Sequence, residues 1–267
     1  MQFKMYICTS YVQEGKKNKA TRILNEILRE LNISDLKPEF KAKILDSLAR
    51  VQFFFGRYLQ AAKIFYQCYE LNTHINNWEE ASRSLYNTAS CYFNAGGDKR
   101  QQKGFELVEE CRKIAEAQSF YGLLSHVEAF YGHDDYWHGN FMDAIQHYRK
   151  AYEYIPSSDK SFRTLHILSM LTLIYLRLGQ IKMAKHFAQK TFDLEKEDHS
   201  NRFKSRYSAI RVELLWEDGQ FEESQNFIKN LVSKFEMNGV NTLEELSTLS
   251  RYYLQSSQVE EQRIYPN

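Results

Sequence analysis

Apolar positions in this chain recur in helical steps, and the stretches they mark are broken at near-constant intervals by a short polar turn carrying a glycine. The turn glycines are Gly15, Gly56, Gly96, Gly139, Gly179 and Gly219, spaced 40 to 43 residues apart. That regularity predicts an array of helix pairs, each too small to bury its apolar face without a neighbour. Five positions after the glycine stand small residues: Ala20, Ala61, Ala144, Ala184 and Ser224. Nine after it stand Leu24, Phe65, Tyr148, Ala188 and Ile228, and twelve after it Ile27, Cys68, Ala151, Thr191 and Leu231. A small residue lets two helices approach, and apolar residues four and seven places later continue the same face. The third repeat obeys the rule after a three-residue insertion in its turn, which brings Gly104, Val108 and Cys111 into register. Before the turns, Cys8, Ala49, Ala89, Gly132, Thr172 and Val212 lie seven residues upstream, and Tyr11, Tyr92, Tyr175 and Leu215 four upstream.

The pattern predicts an all-α fold: a right-handed superhelical array of about six helix-turn-helix repeats plus a C-terminal helix. The expected repeats are residues 1–36, 37–77, 78–119, 120–159, 160–200 and 201–240. Residues 241–258 form a capping helix with Leu243, Leu246, Leu249 and Tyr253 on one face, and 259–267 a loose tail. Three prolines in 267 residues agree with helices throughout, and Pro156 with Ser157, Ser158 and Asp159 marks a repeat boundary.

Charge and chemistry narrow the function classes. A net charge of +1 leaves no whole-chain basic excess to release counterions from phosphates, so no direct nucleic-acid contact is expected. The longest apolar stretch, near Leu165 to Leu178, is too short for a membrane span, the N-terminus lacks a signal core, and a cytoplasmic protein is expected. Cys8, Cys68 and Cys111 fall where repeat helices touch, Cys91 lies within a helix, and no C-x-x-C spacing occurs; buried reduced thiols are expected. No phosphate-binding glycine loop, zinc-protease or nucleophile-elbow motif is present, so no catalytic residue, metal or cofactor is assigned and the chain is read as a non-enzyme. The densest group of ligating side chains is His126, His133, Asp134, Asp135 and His138. A groove-lining role is expected there ahead of a metal site.

The residue pattern small-x-x-Tyr, turn, Ala, Phe/Tyr, Ala resembles the tetratricopeptide repeat over essentially the whole chain. The resemblance implies that the first helix of each pair lines the groove. Candidate peptide-contacting residues are then Lys43 and Arg50 in the second repeat, Arg83, Tyr86, Asn87 and Asn94 in the third, His126, His133 and Trp137 in the fourth, and His166 and Arg177 in the fifth. Asparagine amides can meet an extended backbone with both donor and acceptor, cations can hold a carboxylate, and aromatic rings provide apolar slots. Glu128 and Asp135 sit where the repeat prefers apolar residues, which leaves the fourth repeat's register open by one.

The long repeats and the tyrosine- and asparagine-rich helices, such as residues 84–93, also resemble the peptide-binding regions of the RRNPP quorum-sensing receptors of Gram-positive bacteria. The implied function is an intracellular receptor that holds a short signalling oligopeptide in the groove and changes conformation or assembly, with Asn87 and then Asn94 clamping the peptide backbone. A homodimer contact through late repeats or the C-terminal helix is implied as well. Receptors of that family carry an effector domain before the repeats; with the first repeat starting at Gln2 or Phe3, the expectation is a receptor fragment or a stand-alone array. The alternative is a constitutive scaffold or adaptor holding a partner protein's tail.

Overall fold

The structure, a computed structural model, describes Lys4, Ile7, Tyr11 and residues 17–30, 37–156, 162–195 and 204–238. The expected capping helix 241–258, the tail 259–267 and most of the first helix, with Cys8 and Gly15, lie outside the described residues. Among those described, every regular element is a helix: α1 (Lys17–Glu30), α2 (Pro38–Phe54), α3 (Tyr58–His74), α4 (Trp78–Asn94), α5 (Asp98–Gln118), α6 (Tyr121–His138), α7 (Phe141–Glu153), α8 (Phe162–Arg177), α9 (Ile181–Glu195), α10 (Lys204–Glu217) and α11 (Phe221–Asn238). The chain is an all-α helical repeat protein. It divides into two compact units, one of residues 1–131 with 153–155 and one of 132–152 with 156–267.

Four of the described hairpin turns share one construction. In the α6–α7 turn the amide of Gly139 donates to Tyr136 O (3.2 Å) and that of Asn140 to Asp135 O (2.8 Å). These two bonds satisfy carbonyls that the helix end would leave unpaired, and they require a left-handed residue between them. Gly139 supplies it at φ 80°, where a side chain would be strained. The same pair of bonds closes the turns at Gly56, Gly179 and Gly219.

In the first unit the small register positions are where helices meet. Ala20, Ala49, Ala61 and Ala89 are fully buried, and so are Cys68, Cys91 and Cys111. The thiol of Cys68 on α3 donates to Ala42 O on α2, and that of Cys111 on α5 to Ser82 O on α4, each at 3.5 Å. At Gly104 a Cβ would come within 3.1 Å of Ala89 O, a backbone atom of the facing helix, so α4 and α5 pack too closely for alanine. Burial pushes all three thiols up to about 12 and keeps them protonated at neutral pH.

The second unit follows the same rule. Ala144, Ala184, Thr172 and Ser224 are buried, and a Cβ on Gly132 of α6 would meet the ring of Tyr148 on α7 at 3.0 Å. Gly132 and Tyr148 thus face each other as the glycine count requires, and the fourth repeat keeps the register read from Gly139. Asp135 lies 3.6 Å from His147.

Glu128 is an exception in the first unit that the fold accommodates. It is buried where other repeats carry Leu45, Leu85 and Leu168. Its carboxylate accepts from Arg112 of α5 at 2.9 Å, and Arg112 also faces Glu109 at 3.4 Å and lies 5.0 Å from the centre of the Tyr131 ring. The Tyr131 hydroxyl donates to Glu109. A charge this deep is tolerated because an opposite charge is buried against it.

Candidate functional site

The side chains of interest in the first unit lie on α2, α4 and α6, the first helices of three successive pairs. On α4, Arg83, Asn87, Ser90 and Asn94 follow one another at helical spacing along one stripe, with Tyr86 and Phe93 beside it. Each polar group on this stripe has a different state. Arg83 is half-exposed and donates to Glu80 (2.8 Å) and Glu79 (3.1 Å), both one turn back on its own helix. Asn94 is exposed, and its amide donates to Ser90 O at 2.7 Å. Asn87 has no such outlet: its Nδ2 is buried and has no hydrogen-bond partner.

That orphaned amide stands nine residues before the turn glycine. The equivalent positions in later repeats are Phe130, Met170 and Ile210, all buried apolar side chains. The second repeat has Ser47 there, its hydroxyl bonded to Lys43 O, so the third repeat places an amide where the three later repeats are apolar. A buried donor without a partner costs about 1–3 kcal/mol. Asn87 adjoins Tyr86, whose ring lies 5.2 Å from that of His126 and 6.4 Å from that of Phe130 on α6. Of these candidates the structure brings Tyr86 and His126 together across α4 and α6, with Asn87 next to Tyr86 on α4.

The two candidates on α2 separate. Arg50 is bound through two nitrogens to Asp46, at 2.7 and 3.3 Å. Lys43, one turn before Asp46, is exposed and carries no ion pair among the described residues. With Lys43 and Arg50 set against Asp46, and Arg83 against Glu79 and Glu80, the polar face of α2 and the start of α4 is balanced in charge.

The likeness of this chain to solved structures is one of fold. BtubC (BKLC) from P. vanneervenii is similar to this chain at 16% identity and a TM-score of 0.59, covering 86% of this chain and 94% of that one. A signal transduction ATPase with numerous domains from Pyrococcus horikoshii, which carries a tetratricopeptide repeat sensor, matches at 16% identity and a TM-score of 0.55 over 98% of this chain. This chain spans only 42% of that protein. The quorum sensor NprR from B. thuringiensis, in its apo form, matches at 12% identity over 98% of this chain and 84% of that one, with a TM-score of 0.49. A likeness of that last size bears on nothing beyond a helical repeat build. No family model matches the sequence, and no curated protein matches it.

The candidates of the second unit form their own groups. Trp137 is exposed and its indole N–H donates to His133 Nε2 at 2.8 Å, so that ring nitrogen is an unprotonated acceptor. His166 accepts at Nδ1 from the buried Arg206 of α10 at 2.9 Å, and Ser169 lies 3.4 Å from the same guanidinium nitrogen. Because a guanidinium can only donate, this contact holds His166 in the Nδ1-unprotonated form. Arg177 is exposed and faces Glu213, whose carboxyl is raised by burial, with the arginine opposing the rise and Glu217 adding to it.

Two features were missed from the sequence. The pairing of Arg112 with Glu128 joins two departures from the repeat pattern: Arg112 stands where Tyr69, Tyr152 and Phe192 stand in other repeats, and Glu128 where leucines do. Taken together, two opposite charges in adjacent core positions are a readable signal. The contact of His166 with the buried Arg206 has no comparable mark, since both residues are ordinary on a helix surface. Among the described residues, no three His, Cys, Asp or Glu side chains are grouped so as to hold a metal ion, and no helix is long and apolar enough to cross a membrane.

Proposed function

We propose that this chain is a cytoplasmic, non-catalytic receptor that binds a short peptide along the first helices of its repeats, with Asn87 as the residue that takes the peptide backbone. The observation that carries this reading is the unpaired, buried Nδ2 of Asn87 on α4, at a position where the three later repeats are apolar. A peptide carbonyl is the acceptor such a donor lacks, and the adjoining Tyr86–His126 contact offers a flat aromatic wall for a side chain. Arg83 and Arg50 play a lesser part, because each is already neutralised by carboxylates of its own helix. The same pairing weakens the reading of a scaffold that grips a carboxylate tail with paired cations. A change of conformation or assembly on binding belongs to this proposal as its regulatory half, with the late repeats as the expected dimer contact.

The test is affinity selection from a pool of short peptides, followed by thermal melting with any hit. A selective peptide should raise the melting temperature with the logarithm of its excess over Kd. Asn87→Ala should lower its affinity by about tenfold or more, equivalent to loss of one buried hydrogen bond of about 1.5 kcal/mol. A hit that binds the variant equally well would remove Asn87 from the site. Recovery of no peptide, together with a folded partner bound through these helices, would replace the receptor reading with the scaffold.

A further inference from the structure

The turn end of the α6–α7 hairpin combines exposed apolar area with negative charge. Residues 133–143 contain Tyr136, Trp137, Phe141 and Met142, three aspartates and no lysine or arginine. Trp137 and Met142 are 54% and 59% exposed, among the most exposed large apolar side chains described. Trp137 is also ordered in place. Its ring stands edge-on to His133 and to Tyr136, each at 5.9 Å, and its N–H is already satisfied by His133. What it presents outward is therefore an apolar, electron-rich face that asks for no hydrogen bond and loses little freedom when covered.

The α10–α11 turn repeats the combination within the same unit. Trp216 packs on Phe221 at 4.8 Å, and Phe221 is 46% exposed. Around it, Glu217, Glu222 and Glu223 are exposed with no ion pair among the described residues. Of the cations around the intervening α8–α9 turn, Lys185 of α9 pairs with Asp218 and Arg177 faces Glu213, while Lys182 is exposed. At the first tip Asp143 is likewise exposed and without an ion pair. Each hairpin returns before the next begins, so the turns of the second unit fall on one edge.

We propose that this edge docks a basic polypeptide segment of a partner protein, anchored by an apolar or arginine side chain over Trp137. The sign of the rim decides the partner's chemistry. An acidic rim with aromatic faces attracts Lys and Arg, which stack on indole rings, and repels phosphate backbones and anionic lipid surfaces. The apolar centre supplies the affinity, since exposed, pre-ordered aromatic residues ringed by polar groups are where binding energy concentrates.

The experiment uses the full chain and a synthetic amphipathic peptide with arginines on one face and leucines on the other, followed by fluorescence anisotropy at low and high salt. Binding that weakens with salt is expected, with a loss of about tenfold in Trp137→Ala, a smaller loss in Asp143→Lys, and retention in Trp137→Phe. A counterpart peptide with glutamate in place of arginine should not bind. Failure of the arginine–leucine peptide to bind would overturn the proposal. So would equal binding by Trp137→Ala, or equal binding of an arginine peptide that lacks leucines, which would reduce the edge to unspecific charge attraction. Unchanged melting of the variants separates these outcomes from misfolding.

Discussion

At the scale of the residue, Asn87 sets stability against binding. In the free protein its Nδ2 is buried and unpaired, and its counterparts Phe130, Met170 and Ile210 show that the position accepts an apolar side chain. Replacing it with leucine removes an unsatisfied donor and follows the preference of the three later repeats. Asn87→Leu is expected to stabilise the chain by about 1 kcal/mol while abolishing peptide binding, as followed by denaturant titration and by anisotropy with a bound peptide. A structural asparagine would behave the other way, losing stability on substitution. Arg83→Ala serves as the comparison. Its guanidinium is already shared between Glu79 and Glu80 and is half-exposed, so its removal should change stability by less than about 1 kcal/mol and affinity less than Asn87→Ala does.

At the scale of the element, the hairpins repeat one design and the fourth pair departs from it. Glu128 of α6 holds Arg112 of α5, and the glutamate is the more deeply buried partner. Removing it leaves the guanidinium without its most buried counter-charge. Glu128→Ala should therefore destabilise the first unit by about 3–5 kcal/mol. Glu109→Ala should cost less, because Glu109 is half-exposed and Arg112 keeps Glu128. Urea denaturation of the two variants side by side tests the order, and equal losses would show that the buried pair has no special weight. The contrast also shows what could be read in advance. Turn glycines, the small residues five positions after them and seven before them, and the mostly apolar residues nine and twelve after are local signals, because close helix packing and left-handed turns each demand a particular residue at a fixed offset; Gly104 and Gly132 stand at such offsets. Which polar exceptions meet across helices is not local. His166 with Arg206, forty residues apart, emerges only when two hairpins are packed, whereas Arg112 and Glu128 left a trace because both replace apolar residues.

At the scale of the whole molecule, the two units differ in one chemical respect that predicts how the protein fails in alkali. Cys68, Cys91 and Cys111 all belong to the first unit, and the second contains no cysteine. Burial raises each of these thiols from 9.0 to about 12. An unfolded chain therefore releases these protons first, and it binds fewer protons than the folded chain across that interval. Stability from thiol burial is fully present below pH 9 and is lost progressively as pH rises toward 12. One pH unit into the interval, each thiol has lost on the order of 1 kcal/mol, and three together remove a few kcal/mol, a sizeable part of an ordinary domain's stability of about 5–15 kcal/mol. The first unit should thus open at lower pH than the second. Thiol reactivity reports the first unit, and the emission of Trp137 and Trp216 in a Trp78→Phe chain reports the second. As pH is raised, the thiols should become reactive before the tryptophan emission shifts. A chain with Cys68, Cys91 and Cys111 all changed to alanine should be less stable at neutral pH, from lost packing, yet show a flatter decline above pH 9. If its alkaline midpoint and slope match those of the parent, thiol ionisation is not what opens the first unit, and the lysine and tyrosine charges of the surface must be.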